Sequence, residues 1–138
     1  MDHTTKNYIL TFSIANCSTE VNKQADALEF YLKTLEIKPD HNLCNIYVGR
    51  MYYDTAINAP EDDKKGYFEK SVKYLEIGLK INLKHDNFFT YNDIVRGLFE
   101  LGKENEAREK YEEIKKKNPK VADKVFNKIQ SGNKFKLA

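Results

Sequence analysis

Residues 88–121 read FFTYNDIVRGLFELGKENEAREKYEEIKKKNPKV, and this stretch decides the fold. Tyr91, Ile94 and Leu98 are spaced so that one face of a helix carries all three. Gly102 follows where a left-handed turn is needed, since glycine adopts positive φ without a Cβ clash. Ala107 and Tyr111 then share a face of a second helix, predicted over Glu104–Lys117, and Pro119 closes the unit. The unit is a helical hairpin of 34 residues.

The rest of the chain reads as imperfect copies of it. In ADALEFYLKTLEIKPD, Ala27, Tyr31 and Thr34 fall at i, i+4 and i+7, and Pro39 ends the copy. Val48, Gly49 and Tyr52 repeat the first-helix core, and Ser71, Leu75 and Gly78 supply the small, bulky, small series of a second helix. A glycine inside a helix costs about 1 kcal/mol relative to alanine. Gly49 therefore implies a neighbouring helix packed too close for a side chain.

With these residues in place, the chain resembles the tetratricopeptide repeat (TPR) family over about residues 8–131. Pentatricopeptide repeats, at 35 residues, lack this Ala and Pro spacing. The resemblance implies an all-α, right-handed superhelix of antiparallel helix pairs, about seven helices in a single domain spanning 1–138. Repeat one covers 8–41, repeat two 42–87 and repeat three 88–121, with a capping helix over 120–131. The cap is read from Val121, Val125 and Ile129, an apolar stripe that would close an open array end. The first helix is placed at Tyr8–Thr19, its partner at Ala25–Ile37, and residues 133–138 are expected to be loose.

Register arithmetic isolates one irregularity. Ala27 to Ser71 spans 44 residues where the repeat gives about 34, and Gly49 to Ser71 spans 22 where the family spacing is about 12. About ten extra residues thus lie near 54–66. Pro60 followed by Glu61, Asp62 and Asp63 has the pattern of a helix start, with acids at the positive dipole end. The expectation is an elongated helical hairpin in repeat two, one helix running to Ile57 and the next beginning near Pro60. As a calcium loop the acidic trio lacks both alternating ligands and glycine.

Composition bounds the function. The chain of 138 residues is 41% hydrophobic and 32% charged, with three Pro and no Trp. The formal net charge is +2, but 11 of the 23 basic and only 6 of the 21 acidic residues fall in 103–138. This is read first as a solvated face with Lys near helix C-termini. Nucleic-acid binding through Lys115, Lys116, Lys117, Lys120, Lys124 and Lys128 is the weaker reading. Cys17 and Cys44, without a CxxC pair, read as small apolar residues in a reducing, cytoplasmic setting. No run is long enough for a membrane span. Residues 8–15 read as helix rather than export signal, being broken by Thr11 and Ser13.

The resemblance places a binding surface on the concave face, lined by the first helices of each pair. The residues assigned to it are Tyr47, Arg50, Tyr53, Phe89, Asn92, Asp93, Arg96 and Phe99. Aromatics and Arg dominate protein-binding hot spots. Arg50, Tyr53, Arg96 and Phe99 are expected to face the groove, and Ile46 to pack inside. The subclass that clamps a chaperone's terminal carboxylate uses Lys and Asn at places held here by Phe12, Asn16, Tyr47, Phe89 and Asp93. Only Asn16 matches, which argues against that ligand. His41 and His85 sit in equivalent turns, and no Ser, Cys or carboxylate constellation surrounds them. Surface carboxylates read as helix pairs such as Glu106 with Lys110. The reading is a non-catalytic module without metal or cofactor, holding an unidentified protein or peptide. A self-associating homodimer is the alternative.

Overall fold

A computed structural model describes residues 24–80, 88–132 and 134–137. These residues form six helices: α1 Gln24–Ile37, α2 Asn42–Asn58, α3 Glu61–Lys80, α4 Phe88–Glu100, α5 Glu104–Lys117 and α6 Pro119–Gln130. The helix expected at Tyr8–Thr19 lies outside the described residues. Each helix packs on the next, and α4 also packs on both α2 and α6. The row α2, α4, α6 is therefore in direct contact. The outer α3 and α5 are bridged by an ion pair, Lys110 Nζ to Glu76 Oε1 at 3.0 Å. Lys110 also reaches Glu113 at 3.2 Å, in place of the expected Glu106.

The irregular stretch forms the elongated hairpin. α2 has 17 residues and α3 has 20, joined by Ala59 and Pro60. Pro60 opens α3 because its carbonyl accepts from the amides of Asp63 and Lys64, at 2.9 and 3.2 Å. The acids Glu61, Asp62 and Asp63 occupy the first turn, opposing the positive end of the helix dipole.

Antiparallel pairing of α2 with α3 follows from three contacts. Ser71 Oγ donates to the Gly49 carbonyl at 2.7 Å. The rings of Tyr53 and Phe68 meet edge to face at 5.9 Å. Gly78 lies against Ile46. A Cβ built on Gly49 would come within 2.5 Å of Leu75 Cγ and 3.0 Å of the Leu75 amide nitrogen. The helices are thus too close for any side chain at 49. Leu75, fully buried in that contact, contributes about 1.5–3 kcal/mol by leaving water. As expected, Ile46 is buried.

The turns are fixed by local chemistry. Asn45 is buried and its amide donates to the carbonyls of Pro39 at 3.0 Å and His41 at 2.9 Å. His41 caps α2, its Nδ1 accepting from the Cys44 amide at 3.2 Å. That bond needs a neutral imidazole, and burial, with Lys38 nearby, lowers the His41 pKa. Between α4 and α5, Gly102 has φ of 78°. Its amide reaches Phe99 O at 3.0 Å while the Lys103 amide reaches Leu98 O at 2.9 Å. This is the Schellman arrangement. Asn118 caps α6, its side chain accepting from Val121 N at 3.2 Å, with Pro119 next. α6 then buries Val121, Ala122, Val125 and Ile129 against α4 and α5.

One expectation fails. Residues 134–137 are not loose: Phe135 packs against the main core and Leu137 is buried in it. Gly132 ends α6 in a turn, and the chain then folds back over α4, α5 and α6.

Candidate protein-binding groove

Two turns of α4 present Phe89, Asn92, Asp93 and Arg96 toward α2, which answers with Arg50 and Tyr53. Helical periodicity produces this, since 89, 92, 93 and 96 recur at three and four residues. At the open end, Phe89 is 62% exposed. Arg50 lies over its ring, with Cζ 5.5 Å from the centroid. Arg50 itself is exposed, so the pair forms an aromatic and cationic lip.

The floor is polar and largely closed to solvent. Asn92 and Asp93 are buried. Asn92 Nδ2 donates to Asp93 Oδ1 at 3.3 Å. Burial pushes the Asp93 carboxyl up to about 7. The Asn92 hydrogen bond, Arg50 and Arg96 oppose that rise, and Asp54 adds to it. An ionised Asp93 accepts only, so it fixes the Asn92 amide with its N–H toward the carboxylate and its oxygen the other way. Asn92 Oδ1 then has no protein partner. Neither has Arg96 Nε, also buried. Glu100 Oε1 stands 3.8 Å from that nitrogen, close enough for charge attraction but too long for a hydrogen bond. The floor thus holds one free acceptor and one free donor, one helical turn apart.

Two residues assigned to groove exposure are covered. Tyr53 is 7% exposed, packed on Phe68, and burial with the nearby Asp93 raises its hydroxyl pKa. It is a wall of the groove rather than a contact surface. Phe99 is 4% exposed because Phe135 stacks on it. Tyr47 points elsewhere, half-buried against Tyr31 of α1 with centroids 5.4 Å apart. Glu100 is the residue that sequence reading passed over. Its signal was the i, i+4 step from Arg96, which continues the same stripe. Phe12 and Asn16, two of the places compared with the carboxylate clamp, fall outside the described residues.

Among the described residues, no group of three or more His, Cys, Asp and Glu is placed to hold a metal, and no helix is long and apolar enough to cross a membrane. Cys44 is a free, buried thiol that burial pushes up to about 12.

Comparison with known proteins agrees on architecture. No family model matches the chain. No curated protein matches it. Among solved structures, the N-terminal domain of stress-induced protein-1 (STI-1) from C. elegans is similar, with a TM-score of 0.61 at 14% identity. The match covers 91% of this chain and 96% of that one. At this identity the likeness shows a helical repeat fold.

Proposed function

We propose that this chain is a non-catalytic adaptor of the tetratricopeptide repeat type, working in the cytoplasm, that holds an extended segment of another protein in the α2–α4 groove. The observation that carries the reading is the unpartnered pair on the floor, Asn92 Oδ1 and Arg96 Nε. A buried polar atom without a partner costs about 1–3 kcal/mol, and a backbone offers both complements. Both atoms lie just beneath the surface, so a bound segment meets them as the two side chains turn toward the lip, its amide then donating to Asn92 Oδ1 and its carbonyl accepting from Arg96 Nε. Phe89 and Arg50 at the lip supply the aromatic and guanidinium surface typical of binding hot spots. Similarity in fold to a domain of stress-induced protein-1 supports a protein-binding role.

The test is affinity capture from the native lysate with wild type and the Arg50→Glu/Arg96→Glu variant, read by mass spectrometry. Selective loss of one protein with the variant supports the groove. Equal recovery from both places the interface elsewhere.

A further inference from the structure

Residues 134–137 are gripped as a receptor grips a peptide. Phe135 lies nearly flat on Phe99, centroids 4.9 Å apart and planes at 14°. Leu137 is 4% exposed. Lys134 Nζ donates to both carboxylate oxygens of Glu100, at 2.9 and 3.1 Å. The backbone is held as well. Arg108 Nε donates to the Lys136 carbonyl at 3.3 Å, and the Leu137 amide donates to Gln130 Oε1 at 3.2 Å. Phe135 and Leu137 point in while Lys134 and Lys136 stay out, the two-residue alternation of extended chain. Side-chain pockets at alternate residues with backbone hydrogen bonds between them are how extended peptides are recognised. The contacts come from α4, α5 and α6, and Glu100 adjoins Arg96, so this surface continues the groove.

We propose that Phe99, Glu100, Arg108 and Gln130 form the far end of the groove, that this end takes a partner segment in the order basic, aromatic, any, aliphatic, and that residues 134–137 occupy it in cis until such a segment displaces them. This rests on the groove reading and names the chemistry of its partner. The resident segment supplies the specificity: Glu100 selects the cation, the Phe99 face the aromatic, and the core edge the aliphatic. A tethered occupant competes at high effective concentration, so an incoming segment meets a closed site.

The probe is a fluorescein-labelled hexapeptide, Asn-Lys-Phe-Lys-Leu-Ala, titrated against the full chain by anisotropy. An occupant bound about 90% of the time weakens the probe about tenfold. The Phe135→Ala/Leu137→Ala variant should therefore bind at least about tenfold tighter than wild type. Adding Glu100→Lys should abolish that binding. Lys134→Glu keeps both apolar anchors and should give a smaller gain, which carries the test if the double variant unfolds. The chain has no Trp, so Phe135→Trp gives a single reporter. Excess unlabelled peptide should shift its emission to the red as the segment is displaced. No binding by either unlatched variant with helicity intact overturns the proposal and leaves residues 134–137 a structural cap. Such a failure leaves the Arg50→Glu/Arg96→Glu capture result standing, so the two readings fail separately. Probe binding together with equal capture by wild type and variant keeps this docking site and discards the α2–α4 groove.

Discussion

Replacing Asp93 with Asn should stabilise the protein in alkaline solution and do almost nothing in acid. The carboxyl is buried, receives one hydrogen bond of 3.3 Å from Asn92, and has its pKa pushed up from 3.8 to about 7. A carboxyl whose folded pKa lies above its unfolded one favours folding while it is protonated. That contribution is complete below about 3.8 and is lost as pH rises through about 7. Near pH 8 the folded state carries a poorly solvated charge that the unfolded chain carries freely. At 1.36 kcal/mol per pH unit, a gap of roughly three units amounts to on the order of 4 kcal/mol. Movement of the side chain toward the solvated lip reduces this, so about 2 kcal/mol is the expected gain for Asp93→Asn. Asn keeps the hydrogen-bonding shape and cannot ionise. Urea unfolding followed by circular dichroism, for both proteins at about pH 3.5 and about pH 8, reads the difference directly. An equal effect at both pH values, or a loss at the higher one, would refute the buried-charge argument.

Three further outcomes follow from the packing and the turns. Gly49→Ala drives a Cβ toward Leu75 and should cost about 1–3 kcal/mol, less in a Leu75→Ala background, as a double-mutant unfolding cycle will show. Gly102→Ala meets no neighbouring atom yet strains a φ of 78°, so a loss of about 1 kcal/mol should appear with helix content unchanged. In a Cys17→Ser protein, Cys44, a buried thiol with its pKa near 12, should react with a disulfide reagent only after denaturant unfolds the chain.

Much of the fold was legible because its constraints are local. Gly102 ends α4, and Pro119 opens α6 where a boundary was expected, while the run of Glu61, Asp62 and Asp63 marks the start of α3. Gly49 announced a close helix contact, and Leu75 supplies it. The groove was only half legible. The resemblance put Arg50, Phe89, Asn92, Asp93 and Arg96 on one lining surface, and these residues do lie together. It could not say that Phe68 closes over Tyr53 or that Tyr47 turns to Tyr31, because those depend on how α3 and α1 lean on α2. Phe99 was misread for a longer-range reason. Its cover is Phe135, placed after Gly132 in a Lys-rich stretch that looks solvated. The only local hint is the alternation of Phe135 and Leu137 with Lys134 and Lys136.

The groove itself is tested most directly by mapping where a bound segment sits. Peptides selected against wild type from a random display library, titrated into isotope-labelled protein, should shift the amide resonances of Arg50, Phe89, Asn92, Asp93 and Arg96. Arg50→Glu/Arg96→Glu should weaken the same peptides at least about tenfold, or 1.4 kcal/mol. Shifts confined to the outer faces of α3 and α5, with affinity unchanged in the variant, would contradict a binding site between α2 and α4.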